Sequence, residues 1–420
     1  MGRLPGASNP SPQDSRRLSL PLAFALVGGI ITLALFASAT PTPLYGDYAA
    51  RWHFSTVTLT SVYATYAVGV LAALLLIGRL SDELGRRPVL IGALIALLGS
   101  TVLFMAAQSV AWLFAARALQ GLATGAALGA AGAALLDLHP RGDARQAALV
   151  NGVGSAAGLG FGALVSSLLV QLAPDPRVTP YAVLFGLFAV ALVGTLALPE
   201  PVARAARPRL RPQRPRIPRA VRTPFVIASG GVIASWSIGG VYLSLAPSLA
   251  TDMLHSTSHL VGGAAIFALG GTGALSQAAF RNLDTDRAIG GGLLALALGM
   301  AITVAALSPE SAPLFFAGSI VAGAGFGVAF MGAVRAVSTA SPPDQRAAVM
   351  SAFYIVAYVS ISIPAVIAGF VAAELGLEPT FRIFGAAVIA LALATALANR
   401  YARSRVPEPI AAAPDAGGSG

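Results

Sequence analysis

The sequence predicts an all-α membrane protein with twelve membrane-spanning helices arranged in two six-helix halves. Its 420 residues are 56% hydrophobic and only 10% charged, whereas a typical soluble domain is about 25% charged. The apolar residues form twelve runs, and each is long enough for the roughly 20 residues that a helix needs to cross a bilayer. Short charged segments separate the runs, because charge is costly in hydrocarbon. The composition therefore excludes an ordinary soluble protein.

The first apolar run extends from about Leu20 to about Tyr45 and follows a polar segment, as in a signal peptide. We interpret this run as a retained helix, because it is longer than the apolar region of a usual signal peptide and many further runs follow it. The other eleven spans are predicted to begin near Thr58, Val89, Ala111, Gln146, Tyr181, Thr223, Ser258, Ala288, Ala312, Ala347 and Thr380.

The distribution of arginine predicts that both termini lie in the cytoplasm. The chain has 27 basic residues, all of them arginines. With the N-terminus inside, the inner loops hold most of these arginines, and the outer loops hold only Arg51, Arg177 and Arg382. Basic residues in short loops favour the cytoplasmic side. We therefore expect a multi-pass protein of the inner (plasma) membrane.

An arginine- and proline-rich segment over residues 200–222 divides the chain into two nearly equal parts. It carries eight arginines and five prolines, and both proline and repulsion between like charges oppose a helix there. We expect a solvated cytoplasmic linker, with contact to phospholipid headgroups as the alternative. The predicted division is a cytoplasmic segment 1–19, a six-helix half 20–199, the linker 200–222, a second six-helix half 223–400 and a cytoplasmic tail 401–420.

Short matches between the two parts predict an internal repeat. Asp143–Arg145 precedes the fifth span, and the similar segment Asp344–Arg346 precedes the eleventh. The same spacing relates Arg86 to Arg287. Because these matches fall at corresponding loops of two six-span halves, they favour a parallel duplication.

A charged turn, Gly78–Leu90, connects the second and third spans. Glycine permits a sharp reversal of the chain. Asp82 and Arg86 lie one helical turn apart, so a carboxylate and a guanidinium group can pair across this turn.

Arg117 is predicted to lie within the fourth span, about two turns from its outer end. An arginine at that depth costs about 2.5–3.5 kcal/mol on insertion scales. Gln120 and Gly121 follow it at helical spacing on the same face, and no carboxylate is predicted deep in any span. We expect its partner to be backbone, Gln120 or a substrate anion, with extension to the outer surface as the alternative.

These motifs resemble the signatures of the major facilitator superfamily of secondary transporters. The charged turn resembles the signature between the second and third helices, Arg117–Gly121 resembles that of the fourth, and Leu198–Glu200 resembles a common end of the sixth. The matching positions in the charged turn are Gly78, Asp82, Gly85, Arg86 and Arg87. The resemblance implies two pseudo-repeated halves and transport by alternating access.

The resemblance also implies roles for individual residues. Asp82 would dock at the start of the eleventh helix and latch the two halves together on the cytoplasmic face. The alternative is that Asp82 only stabilises the turn. Arg117, with Gln120 and Gly121, would serve coupling or substrate handling, because the family ties this arginine to proton coupling.

Three glycines of the fifth span, Gly154, Gly158 and Gly162, recur at helical spacing. This pattern favours close packing against a neighbouring helix. It resembles a glycine motif of the drug/proton antiporters of the superfamily, although Leu159 stands where that motif has proline.

In this family the first, fourth, seventh and tenth helices line a central cavity. Trp236 of the seventh span and Phe330 and Met331 of the tenth are therefore candidate walls for a hydrophobic substrate, because aromatic and methionine side chains suit such surfaces. Packing against helices or lipid is the alternative for each of them.

Asp47 and Asp137 are the candidate proton carriers, near the outer end of the first span and the inner end of the fourth. Solvated acids at the membrane rim are the alternative. The four histidines lie in predicted loops without the grouping of a metal site, and cysteine is absent. No nucleophile, base and acid converge in a recognisable pattern. We therefore predict no enzymatic activity, no cofactor and no bound metal.

The predicted function is proton-coupled efflux of small hydrophobic or drug-like molecules. We expect a small-molecule substrate, protons and the lipid bilayer as partners, and a monomer. Nucleic acid is not an expected partner, because the net charge of +10 lies in loops between apolar runs. An uptake symporter or facilitator for a small metabolite, including an anion held by Arg117, is the first alternative. A non-transporting receptor or scaffold is the second.

Overall fold

The computed structural model describes residues 17–76, 80–202, 217–342 and 345–404, and all regular structure in these ranges is helical. The α-helices are α1 (Leu20–Ala39), α2 (Tyr45–Trp52), α3 (Thr56–Leu76), α4 (Leu80–Leu84), α5 (Arg86–Met105), α6 (Val110–Asp137), α7 (Ala144–Leu172), α8 (Thr179–Leu196), α9 (Arg222–Ser244), α10 (Ala246–Met253), α11 (His259–Ala279), α12 (Thr285–Leu307), α13 (Ala312–Ala340), α14 (Arg346–Leu375) and α15 (Leu377–Ser404).

Twelve helical segments in these ranges are long and apolar enough to cross a membrane. The first combines α1 and α2, and every later span begins within one helical turn of its predicted position. The predicted fold class, an all-α membrane protein with twelve spans, is confirmed. The last helix continues to Ser404, slightly beyond the predicted start of the tail at residue 401.

Local features of the repeat appear in both halves. The first long helix of each half, α1 or α9, leads into a short eight-residue helix, α2 or α10. The carboxylate of Asp143 caps α7 by accepting the backbone N–H groups of Arg145 and Gln146 at 2.8 and 3.1 Å. Asp344, its predicted counterpart, lies outside the described residues, as do most of the predicted linker and tail.

The two ends of the molecule are distinguished by their turns. We call the end with the turns at 84–86, 138–143 and 280–284 the linker face, because the chain enters and leaves the linker there. The opposite end, with the turns at 40–55, 106–109 and 173–178, is the far face. Successive spans run in alternating directions between these two faces.

The halves meet along two helix pairs, α7 with α11 and α3 with α14. Glycines bring α7 and α11 together, because a Cβ atom on Gly160 would lie only 2.7 Å from the backbone nitrogen of Gly271. Near the far face, one buried apolar cluster combines residues of both halves, such as Val62 of α3 and Ala365 of α14. The other described clusters each stay within one half. The shared core therefore lies toward the far face.

Candidate functional site

Arg117 lies in α6, and its side chain is completely buried, with 0% exposure. Its Nε atom donates a hydrogen bond to the hydroxyl of Tyr45 at 2.8 Å, and Nη2 donates to the same hydroxyl. Nη1 donates to the carbonyl oxygen of Ser38 at 2.8 Å and to Oε1 of Gln120 at 2.7 Å. Backbone and Gln120 are thus partners, as expected from the sequence, and complete burial excludes extension to the outer surface.

The end of α1 supplies the backbone acceptors of this site. Carbonyl groups in the last turn of a helix lack partners within the helix and carry partial negative charge. Pro41 has no N–H group to donate to the carbonyl of Ala37, four residues earlier. That carbonyl instead accepts a hydrogen bond from Nε2 of Gln120 at 3.0 Å. The proline after α1 thus leaves backbone oxygens free for the polar side chains of α6.

Aromatic rings complete the surroundings of Arg117. Its Cζ atom lies 5.4–5.9 Å from the ring centroids of Tyr45, Tyr63, Tyr66 and Phe104. The faces of such rings attract a cation, and the attraction is strongest where water is excluded. In the described part of the chain no carboxylate pairs with Arg117. Neutral dipoles and rings compensate its charge instead.

Glycines of α6 bring α3 and its tyrosines close to Arg117. A Cβ atom on Gly121 would overlap the carbonyl oxygen of Tyr66, and one on Gly125 would lie 2.8 Å from that of Val70. Gly129, one turn further on, has open space around it. Close backbone approach at these glycines thus occurs at Gly121 and Gly125 and ends before Gly129.

A second group of side chains surrounds Trp236 of α9. Its ring centroid lies 5.2 Å from those of Phe330 in α13 and Tyr358 in α14. The Nε1 atom of Trp236 is buried and, among the described residues, has no hydrogen-bond partner. A buried indole N–H group normally finds an acceptor. This donor is therefore left unsatisfied among the described residues.

The structure brings Trp236 and Phe330 together but places Met331 elsewhere. Met331 is buried with Ala288 and Val328 in a small cluster between α12 and α13. Sequence reasoning missed Tyr358 as a member of the aromatic group, because α14 is not among the helices expected to line the cavity.

The two groups belong to one region between the halves. The apolar cluster shared by the halves contains Tyr63 and Tyr66, whose rings face Arg117, and Tyr358, whose ring contacts Trp236. A molecule bound at Trp236 would therefore contact a core that is continuous with the surroundings of Arg117.

At the linker face, Arg86 is the centre of an ionic network. Its Nη1 atom lies 2.5 Å from Oδ1 of Asp82 and 2.8 Å from the hydroxyl oxygen of Ser81, and its Nε atom lies 2.9 Å from Oδ2 of Asp137. The predicted pairing of Asp82 with Arg86 is present. Asp137, a candidate proton carrier, is engaged by the same guanidinium group.

Glu200 joins the end of the first half to the start of α5. Its carboxylate oxygens accept the backbone N–H groups of Arg86 and Arg87 at 2.9 and 3.0 Å, and a negative charge stabilises a helix N-terminus. Gly85 has φ +97°, and a Cβ atom there would strike the Glu200 carboxylate. The side chain of Arg87 donates to the carbonyl oxygen of Leu196. These contacts explain why glycine, two arginines and a distant glutamate occur together.

The proposed latch of Asp82 on the eleventh helix stays a prediction. The side chain of Asp82 is 56% exposed. Gly78 and the two residues before Gln345, which precedes α14, lie outside the described residues. Sequence reasoning identified Glu200 only as part of a separate motif, so its contact with the charged turn was not anticipated.

The predicted packing glycines of α7 face α1. A Cβ atom on Gly158 would overlap the carbonyl oxygen of Thr32, and one on Gly162 would overlap that of Phe36. A Cβ atom on Gly154 would lie 2.8 Å from the hydroxyl oxygen of Thr32. These glycines thus join two helices within the first half.

Asp47 lies at the far face, where the halves border a polar cavity. The cavity has a volume of about 200 Å³ and is lined by Asp47, Tyr45 and Thr42 of the first half and by residues of α9–α11, including His259. Oδ2 of Asp47 lies 3.8 Å from Nε2 of His259 across the halves. Within the described ranges, no three His, Asp or Glu side chains cluster as metal ligands would.

Comparison with known proteins agrees with this architecture. A family model described as Major Facilitator Superfamily matches residues 25–287. The vesicular acetylcholine transporter of Homo sapiens is 35% identical over 174 residues, which cover 40% of this chain and 31% of that protein. Its counterpart in Rattus norvegicus is 34% identical over the same length. The match thus spans about a third of the length of these curated relatives.

Two solved structures share the fold. The human organic anion transporter MFSD10 (TETRAN) has a TM-score of 0.65 and 17% identity, covering 92% of this chain and 100% of that one. A mutant of the nucleoside transporter NupG has a TM-score of 0.67 and 14% identity, covering 90% and 100%. Because the family model covers more than half of the sequence, the chain belongs to the Major Facilitator Superfamily.

Proposed function

We propose that this transporter exports small hydrophobic or weakly charged molecules in exchange for protons, by alternating access across the inner membrane. The single observation that carries the proposal is the aromatic group of Trp236, Phe330 and Tyr358, with its unpartnered buried N–H group. Pockets for small molecules combine apolar walls with a few oriented polar groups.

The substrate class follows from the chemistry of this group. Its rings can stack on a planar molecule or face an organic cation, and the Nε1 donor of Trp236 can bind an oxygen or nitrogen acceptor. A transporter named for acetylcholine, an ester with a quaternary ammonium group, is among the relatives. The quaternary ammonium group of acetylcholine would suit the aromatic rings, and its ester oxygens would suit the single N–H donor.

The proposal includes coupling to protons, which requires a residue that binds and releases a proton. Of the two candidate carriers, Asp137 is engaged by Arg86, whereas Asp47 borders the far-face cavity together with Tyr45, whose hydroxyl receives two hydrogen bonds from Arg117. We therefore favour Asp47 as the proton carrier. In this proposal Arg117 is a fixed positive charge that is linked to protonation of Asp47 through Tyr45.

The preference of basic loops for the cytoplasm supports an orientation in which the arginine-rich linker face and both termini lie on that side. One chain supplies both halves of the site, which supports a monomer as the functional unit. An Asp82 latch would then close the cytoplasmic face.

The test uses the purified protein in liposomes that enclose a pH-sensitive dye, with ethidium as the planar organic cation. We expect ethidium to cause proton movement across a liposome membrane that carries an imposed pH gradient. The Trp236→Leu variant should require about tenfold more ethidium for half-maximal proton movement, since aromatic stacking contributes up to about 1.5 kcal/mol beyond burial. Trp112→Leu, at a 36% exposed position of α6, is the matched control.

Two other outcomes would support a different function. Accumulation of a metabolite without any response to ethidium would contradict export and support uptake. A well-folded preparation that moves none of the tested solutes would support the receptor or scaffold.

A further inference from the structure

Two arginine side chains from different halves converge on one carbonyl oxygen at the linker face. Nη2 of Arg145, at the start of α7, donates to the carbonyl oxygen of Arg281 at 2.8 Å and to Oδ1 of Asn282 at 3.0 Å. Nη2 of Arg335, near the end of α13, donates to the same carbonyl oxygen at 2.7 Å, and Nη1 donates to the carbonyl of Leu283 at 3.3 Å. Two positive charges therefore share a single neutral acceptor.

No carboxylate compensates these two charges in the described part of the chain. Neither Arg145 nor Arg335 has an ion pair there. The carboxylate of Asp143 caps α7, and that of Asp284 accepts the backbone N–H of Arg287 at the start of α12. These two acids thus stabilise helix ends, and within the described ranges no carboxylate serves as a counter-ion for the paired guanidinium groups.

The remaining donors point to the chemistry of a missing anion. Among the described residues, Nε and Nη1 of Arg145 and Nε of Arg335 have no acceptor. A guanidinium group offers planar pairs of N–H donors that match phosphate oxygens, and two such groups side by side suit one phosphate. The exposed side chain of Arg281 adds a third positive charge nearby.

Two exposed apolar side chains that precede Arg281 in the chain favour a lipid as the molecule that carries the phosphate. Leu275 of α11 is 71% exposed, and Phe280, which directly follows this membrane-spanning helix, is 52% exposed; both precede Arg281 in the chain. Acyl chains would lie against such residues while a headgroup lies at the depth of the arginines. Basic pockets between membrane helices bind anionic headgroups in this manner.

We propose that Arg145, Arg335 and the Arg281 segment form a phosphate-binding site that straddles the two halves and is occupied by the headgroup of an anionic phospholipid. The bound phosphate, a diester with one negative charge, lies between the two guanidinium groups, reduces their mutual repulsion and stabilises the arrangement in which both arginines contact one turn. A ligand favours a conformation only by its greater affinity for it, so this lipid would favour conformations that keep the halves joined here.

The experiment measures lipid binding, so its outcome does not depend on the proposed cargo or on proton coupling. The purified protein in neutral detergent is mixed with phosphatidylglycerol, with zwitterionic phosphatidylcholine or with inorganic phosphate. Thermal unfolding midpoints and the number of bound lipids by native mass spectrometry are then recorded. We expect phosphatidylglycerol to raise the midpoint by several degrees and phosphatidylcholine to leave it unchanged, because a ligand bound to the folded state stabilises it.

The variants are Arg145→Gln, Arg335→Gln and the double substitution, with Arg141→Gln as the control, since Arg141 is an exposed arginine on the same face. The double variant should lose the shift caused by phosphatidylglycerol, and the control should keep it. If glutamine prevents folding, lysine at both positions keeps the charges but removes the planar forks, and it should bind phosphatidylglycerol more weakly.

Each outcome decides the proposal. An equal shift with inorganic phosphate supports the anion site and assigns it to free phosphate in place of a lipid. An equal response to phosphatidylglycerol and phosphatidylcholine overturns the site, and so does a double variant that responds as fully as the unmodified protein.

Discussion

Arg86 and Arg117 lie in the neighbouring helices α5 and α6 of the first half, yet their charges are compensated in opposite ways. Arg86 pairs with the carboxylates of Asp82 and Asp137 at the linker face. Arg117 is completely buried and is held by a hydroxyl, an amide, a carbonyl oxygen and four aromatic rings. The first site is an ionic network in which a largely buried arginine pairs with carboxylates that reach solvent, and the second is a buried cation among neutral dipoles.

This difference suggests that the two arginines serve different steps of a transport cycle. Ion pairs near solvent contribute little to stability, about 0–1 kcal/mol, because water replaces them readily. Asp82 can therefore leave Arg86 at low cost if it docks on the eleventh helix, as proposed above. A buried charge that loses its partners costs several kcal/mol. The contacts of Arg117 are thus expected to persist throughout the cycle, while those of Arg86 change.

The largest effect is expected from Arg117→Met. Loss of the guanidinium group leaves the Tyr45 hydroxyl and the Gln120 amide oxygen without their buried donor, at a cost of about 1–3 kcal/mol for each unsatisfied group. We expect abolished ethidium-dependent proton movement and a lower free energy of unfolding, measured by chemical denaturation in detergent. Arg117→Lys keeps the charge but cannot reach all three acceptors. Its proton movement and its free energy of unfolding should therefore lie between those of the unmodified protein and of Arg117→Met. Full transport by Arg117→Met would refute a persistent role for this charge.

A smaller effect is expected from Tyr45→Phe. This change removes the hydroxyl that accepts hydrogen bonds from both Nε and Nη2 of Arg117 but keeps the ring. Hydrogen bonds to charged groups contribute about 1.5–3 kcal/mol, so the free energy of unfolding should fall by that amount. Tyr48→Phe is the control, because the Tyr48 hydroxyl is buried nearby but forms only a 3.5 Å contact with Tyr181. Equal losses in the two variants would show that Arg117 does not depend on this hydroxyl.

The sequence predicts the fold well because span length and hydrophobicity are local properties. Each apolar run became one span within a helical turn of its predicted start, since the bilayer requires about 20 apolar residues per crossing. The depth of Arg117 and its pairing with Gln120 also follow from helical spacing within one segment.

The rest of the site depends on contacts between segments that are distant in the chain. Nothing near Arg117 in the sequence indicates Tyr45, which reaches it only because prolines end α1 and the chain turns back over α6. Glu200 lies more than a hundred residues from the backbone N–H groups that it caps. Met331 follows Phe330 directly, yet helical geometry turns it toward α12 and away from Trp236. Such contacts arise from the packing of distant helices, which local sequence patterns do not reveal.

The smallest effect on stability, and the sharpest test of the comparison, is expected from Asp82→Asn and Asp137→Asn. Each variant removes one carboxylate charge from Arg86, keeps an amide oxygen that can accept its hydrogen bond and leaves the other carboxylate in place, so each should lower the free energy of unfolding by about 1 kcal/mol. If Asp82 also docks on the eleventh helix, Asp82→Asn should lower ethidium-dependent proton movement severalfold more than Asp137→Asn. The amount of folded protein in the membrane should be the same for both variants.

The matched pair separates two roles that a single variant would confuse. Asp82 is more exposed than Asp137, with side-chain exposures of 56% and 30%, so on exposure alone its loss should matter less. A larger loss of transport at the more exposed position would therefore require a partner that forms in another conformation. Equal losses of transport would mean that both acids only hold Arg86 in place. The ionic network would then have no separate role in the transport cycle, and only the buried cation Arg117 would keep its expected role.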